Sequence, residues 1–221
     1  YYITLFAGQN SNGNDFGNQQ LSTIIVKKVM IGGTDTFTFT GNPAGTVSVN
    51  NGTITVNNVA PGQYTSTESD LAGWVLSGIS CDDNDSTSNT QTKTATFNVN
   101  ANETVTCTFT NTKLGSISGF KYEDGTQIPL INWLISLYKN GVFQNSQLTT
   151  DQGFSFTNLL PDTYTLTEEL QGGWTQILAP SAVNLYAGIN SNGNNFINFK
   201  NVAISGQKFN DLNGSRAKDT G

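Results

Sequence analysis

The chain of 221 residues has no histidine, two cysteines, one methionine and five prolines, and 12% of it is charged. Without histidine the commonest general base is missing, and with so few thiols the usual zinc ligands are missing too. Ten Lys plus Arg against sixteen Asp plus Glu leave a net charge of −6 and a pI near 4.4. No basic stripe is present to neutralise phosphates, so nucleic acid is not an expected partner. The sequence lacks an apolar run long enough to cross a membrane. Nor does any local motif assemble a nucleophile, a base and an orienting group, so an enzyme is not expected. Residues 1–5 already read as a strand, with no signal peptide or initiator Met, and the sequence reads as an excerpt of a longer chain. Membrane or wall anchoring is then expected only through segments outside it.

What the sequence does contain is Thr, Asn, Ser and Gly around a 36% hydrophobic fraction, the composition of short strands joined by polar turns. Segments such as Thr36-Phe37-Thr38-Phe39-Thr40, Thr94-Ala95-Thr96-Phe97-Asn98-Val99 and Thr106-Cys107-Thr108-Phe109-Thr110 alternate with period two. Internal repeats set the organisation. Ala7-Gly8-Gln9-Asn10-Ser11-Asn12-Gly13-Asn14-Asp15-Phe16 returns at Ala187–Phe196, an offset of 187 − 7 = 180. Ile117-Ser118-Gly119-Phe120-Lys121 returns as Ile204-Ser205-Gly206-Gln207-Lys208, an offset of 204 − 117 = 87. Asn58-Val59-Ala60-Pro61-Gly62-Gln63-Tyr64-Thr65-Ser66-Thr67-Glu68 parallels Asn158–Glu168, and each is followed by Gly-Trp, at Gly73-Trp74 and Gly173-Trp174. The expected organisation is all-β, with tandem immunoglobulin-like sandwiches of about ninety residues and seven or so strands each. The boundaries fall at 1–19 (closing strand of a preceding repeat), 20–113 and 114–201 (full repeats), and 202–221 (opening strand of a following one).

The Pro-Gly-x-Tyr-Thr-x-Thr-Glu run at 61–68, its Gly-Trp, and the closing Phe109-Thr110-Asn111-Thr112-Lys113 make residues 20–113 resemble the collagen-adhesin B-type, or prealbumin-like, domains of bacterial surface proteins. Residues 114–201, opening on Ile117-Ser118-Gly119 and closing on Asn195-Phe196-Ile197-Asn198, resemble the B repeats of serine-aspartate-repeat adhesins. The resemblance implies a non-catalytic structural stalk or fibre at the extracellular cell surface, partnered by neighbouring repeats of the same or identical chains. It also implies a spontaneous amide bond between a first-strand Lys and a last-strand Asn beside a buried acid. The matching residues are Lys28, Glu68 and Asn111 in the first repeat and Lys121, Glu168 and Asn198 in the second, with Lys208 and Asn18 in the split repeats. The chemistry needs a desolvated, neutral amine and a carboxyl that polarises the carboxamide. Lys27 adjoins Lys28 and Glu169 adjoins Glu168, so strand parity leaves each assignment open.

Cys81 and Cys107 lie in one repeat, and an even count in a polar, secreted-looking sequence points to a disulfide, with buried free thiols as the alternative. Asp211, Asn213, Ser215, Ala217 and Asp219 have the ligand spacing of a calcium loop, though Arg216 stands where glycine is usual and the twelfth position is not reached. The acidic run 82–86 reads as a solvated loop that attracts cations weakly. Trp74, Trp133 and Trp174 read as core anchors rather than a carbohydrate platform. Two further readings stay open: a filament assembled by strand complementation between chains, and an adhesin module for a glycan or protein.

Overall fold

The computed structural model describes residues 4–13, 18–211 and 214–216. Among them there are nineteen strands and no helix. The first nine are β1 Ser22–Ile31, β2 Phe37–Gly41, β3 Gly45–Val47, β4 Thr53–Val59, β5 Gly62–Glu68, β6 Trp74–Cys81, β7 Thr87–Asn89, β8 Thr94–Val99 and β9 Thr104–Lys113. The others are β10 Gly115–Gly119, β11 Lys121–Glu123, β12 Leu134–Lys139, β13 Val142–Leu148, β14 Phe154–Leu159, β15 Asp162–Glu168, β16 Trp174–Leu178, β17 Val183–Leu185, β18 Asn190–Ser191 and β19 Phe196–Lys200. The described residues form two compact units, the first holding 4–13 and 18–116 with 157–162 and 185–190, the second 117–156, 163–184, 191–211 and 214–216.

The first repeat is a sandwich of two sheets, ordered β4-β1-β9-β6 and β3-β2-β5-β8-β7. Its core is the set of inward alternate residues that the period-two pattern marks: Ile24, Val26, Phe37, Phe39, Phe97, Val105 and Phe109, all buried. Phe39 meets Phe109 edge to face across the sheets, their centroids 5.0 Å apart.

The second repeat has sheets β11-β19-β16, β13-β12-β15-β17 and β14-β10-β18. Here the long first and last strands of the first repeat are each broken in two, β10 with β11 and β18 with β19. The break follows Gly119, where a Cβ would sit 2.1 Å from the Asn194 carbonyl oxygen, so that only glycine admits this close approach. The Asn194 amide donates to the Ser118 carbonyl and Ser118 Oγ bonds Asn192, which explains why Ile-Ser-Gly and the Asn-rich turn occur together.

The shared motifs take shared conformations. Gly73 and Gly173 have φ of +78° and +82° in the turn that delivers the following Trp, a backbone state that disfavours other residues. Asn58 and Asn158, with φ of 60° and 57°, turn the chain before β5 and β15. The described residues around the two ends, 4–13, 18–20 and 202–211, carry no strand. Extended segments become strands only when a ladder partner lies alongside.

Candidate functional site

In the first repeat the first and last strands lie side by side and parallel, with Lys28 opposite Phe109 and Met30 opposite Asn111. In the second, β11 and β19 are also parallel, with Lys121 opposite Phe196 and Glu123 opposite Asn198. In both repeats the Asn therefore sits two positions beyond the partner of the Lys, on the same, inward face. The acid comes from the opposing sheet: Glu68 of β5 pairs with Phe39 of β2, and Glu168 of β15 pairs with Ile135 of β12. Parity is settled by burial, since Lys28 is 0% exposed while Lys27 is half-buried, and the Glu168 side chain is 2% exposed while Glu169 is exposed.

Three polar side chains thus meet inside the first sandwich. Lys28 Nζ donates to Glu68 Oε2 at 2.9 Å and to Asn111 Oδ1, and Asn111 Nδ2 donates to Glu68 Oε1 at 2.6 Å. The carboxyl therefore touches the amine with one oxygen and the carboxamide nitrogen with the other. Burial holds the Lys28 pKa below its ordinary value, and the hydrogen bond and charge of Glu68 offset this in part.

The second repeat repeats the placement with fewer bonds. Lys121 Nζ lies 2.9 Å from Glu168 Oε2, an ion pair with both side chains buried. Asn198 is fully buried and neither atom of its carboxamide has a hydrogen-bond partner. A buried polar group left in that condition costs about 1–3 kcal/mol. Burial lowers the Lys121 pKa, again against the opposing effect of its Glu.

Sequence reasoning missed the aromatic cover. Phe37 places its ring 4.0 Å from Lys28 Nζ, and Trp133 does the same for Lys121 at 4.6 Å. Each stands two residues before the strand partner of the acid, Phe39 or Ile135, and this position was the available signal. The Gly-Trp residues brace these rings edge-on, Trp74 against Phe37 at 5.2 Å and Trp174 against Trp133 at 5.6 Å. Trp74 and Trp133 are buried, as anchors of the core, whereas Trp174 is only half-buried.

Cys81 of β6 lies directly opposite Cys107 of β9 and the two form a disulfide. Asn18 and Lys208 are exposed and lie outside any strand. Of the expected calcium loop, Asn213, Ala217 and Asp219 lie outside the described residues. Asp211 accepts from the backbone of Ser215 and Arg216, and Arg216 holds φ at 62°, the left-handed state a glycine would supply. In the acidic run, Asp83 and Asp85 approach Glu103 so that one oxygen of each lies within 4.8 Å of the others. Ser86 and Asn100 donate to these three carboxylates.

Residues 24–113 match the family model of the prealbumin-like fold domain. That segment is a prealbumin-like domain. No curated protein matches the chain. Among solved structures, the Bacillus anthracis TIE protein is 17% identical with a TM-score of 0.39, over 82% of this chain and 34% of that one. The minor pilin of Streptococcus agalactiae is 13% identical with a TM-score of 0.38, over 85% and 99% of the two chains. The shaft pilin of Lactobacillus rhamnosus GG is 13% identical with a TM-score of 0.32, over 84% and 100%. This chain spans about a third of the TIE protein, and at such similarity none of the three bears on what it does. Within the prealbumin-like domain, the matched span contains Lys28, Glu68, Asn111 and both cysteines.

Proposed function

We propose that the chain is a non-catalytic segment of an extracellular stalk or fibre, each repeat of which ties its first strand to its last by a Lys–Asn amide bond. The observation that carries this reading is the position of Glu68, with one oxygen on the attacking nitrogen and the other on the leaving nitrogen. Neutral Lys28 Nζ adds to Asn111 Cγ. An Nζ–Cγ bond forms, the Cγ–Nδ2 bond breaks, and the proton released from Nζ passes through Glu68 to Nδ2, which departs as ammonia. Burial favours the neutral amine, and the aromatic cover keeps water from the reacting atoms. In the second repeat, the same step would join the buried Lys121 amine to the Asn198 carboxamide, whose nitrogen leaves as ammonia.

The mechanical consequence follows from topology. Tension enters a repeat at its first strand and leaves at its last, and Lys28 and Asn111 are 83 positions apart in sequence but neighbours in space. An amide bond between them carries the load past the intervening strands, which need not unfold. The repeats either side in the same or an identical chain are the natural partners.

The test is intact mass with peptide mapping. The wild-type chain is expected to be lighter than its sequence by one ammonia per bond, after allowance for the disulfide hydrogens, with Lys28 joined to Asn111 and Lys121 to Asn198. Glu68→Ala restores one ammonia. A wild-type chain at full mass removes the proposal.

A further inference from the structure

Resting on the amide-bond reading above, we infer that the Cys81–Cys107 disulfide is a positioning device for the cross-link: it locks the register of β9 so that Asn111 meets Lys28, and thereby makes bond formation in the first repeat redox-dependent.

The last strand carries an ambiguity in its sequence. Its outer face is Thr at 104, 106, 108, 110 and 112, the last of them covered, and its inner face is Val105, Cys107, Phe109 and Asn111. A slip of two residues leaves every Thr on the outer face and every inner residue facing in, so the alternation that guards against one-residue slips says nothing against it. The same slip carries Asn111 roughly 6.6 Å along the strand. The reacting atoms need to lie about 3–3.5 Å apart, so a slipped strand cannot react.

The β6 side of β9 offers a second freedom. Its pairing with β9 is irregular between Leu76 and Gly78, so the rung holding Asn111 and the rung holding Cys107 lie on opposite sides of a bulge. A bulge absorbs one residue, and pairing on one side of it does not dictate the other. The disulfide ties Cys81 to Cys107 directly across the ladder beyond the bulge, where only the native register sets the two residues face to face. Cys107, Phe109 and Asn111 then project inward in succession, all buried.

The second repeat is an internal contrast. It has the equivalent irregularity, between Gln176 and Leu178, but β16 ends at Leu178 and no disulfide follows. There the last strand is divided and anchored by the Asn192–Asn195 turn, with Asn194 Nδ2 bonded to the Ser118 carbonyl and Asn195 Oδ1 accepting from the Phe120 amide. Each repeat thus has its own register lock.

The experiment is a time course of cell-free synthesis of the full chain, with reduced or oxidised glutathione in the mixture. Disulfide formation passes two electrons and two protons from the thiols to oxidised glutathione. Cross-linked peptides from each repeat are quantified by mass spectrometry. In reduced glutathione, and in Cys81→Val/Cys107→Val under either condition, the Lys28–Asn111 peptide is expected to form at least tenfold more slowly, while Lys121–Asn198 forms at an unchanged rate. Valine fills the space of the thiols, so the variant keeps its core, and backbone hydrogen exchange in β5 and β8 reports that the sandwich has folded. Formation of Lys28–Asn111 at the wild-type oxidised rate without the disulfide overturns this inference alone. No cross-link in any arm overturns the amide-bond reading, and this one with it.

Discussion

Replacing Lys28 with Met and Glu68 with Gln together measures the tether itself. Removing one partner alone would leave a buried unpaired charge, a penalty of about 3–5 kcal/mol that has nothing to do with a covalent bond. The double variant keeps the side-chain volume near native and cannot react. The amide would close a loop of 83 positions. The disulfide lies inside that loop and already spans 26 positions, so the effective loop is 83 − 26 = 57. Its closure is worth about 4 kcal/mol of unfolded-state entropy. For a domain of this size the loss lowers the melting temperature by roughly 15–30 °C. Scanning calorimetry of the oxidised full chain, with the second repeat as internal reference, reads the shift, and intact mass reports the missing bond. A first-repeat transition that stays within about 5 °C of wild type, in a variant shown by mass to lack the bond, refutes the idea that the bond constrains this sandwich.

Bond formation during folding should accelerate as pH rises and reach its plateau below 10.5, the ordinary lysine value, because burial lowers the Lys28 pKa; pulsed synthesis with mass detection across pH tests this. In Asn111→Ala, which keeps the lysine and cannot react, folded Lys28 binds its proton less tightly than unfolded Lys28. Its penalty is full below the folded pKa and fades as pH rises from that value to 10.5, so urea stability should climb over that window relative to Lys28→Met/Asn111→Ala, and a flat difference would refute the assignment. Phe37→Leu thins the cover over Nζ, costing about 1–2 kcal/mol of stability in urea melts and slowing the cross-link several-fold; an unchanged rate would show that the ring only fills space. Asn198→Ala should leave the chain one ammonia lighter than its sequence rather than two, and any loss of the Lys28–Asn111 peptide would mean that the repeats do not react independently.

Much of the fold is legible in the residues. Period two along Thr36–Thr40, Thr94–Val99 and Thr106–Thr110 marks which side chains face in, and the recurrence of Asn58, Gly73 and Trp74 as Asn158, Gly173 and Trp174 marks equivalent turns and anchors. Such features are local, because alternation and positive φ depend on a few neighbouring residues. The candidate triads were legible only through resemblance, and parity between Lys27 and Lys28 or Glu168 and Glu169 was undecided, because an unbroken count of two requires knowing where each strand begins. Tertiary structure settled that: it set first and last strands parallel with the Asn two positions past the partner of the Lys, and brought the acid in from the facing sheet. It also revealed Phe37 and Trp133 as covers for the amines, and the divided strands of the second repeat. The sequence by itself determined the strand-rich repeats and which residues are able to turn inward. Which of them meet was decided only when the two sheets packed, since contacts between residues 83 positions apart depend on register and sandwich geometry rather than on local preference.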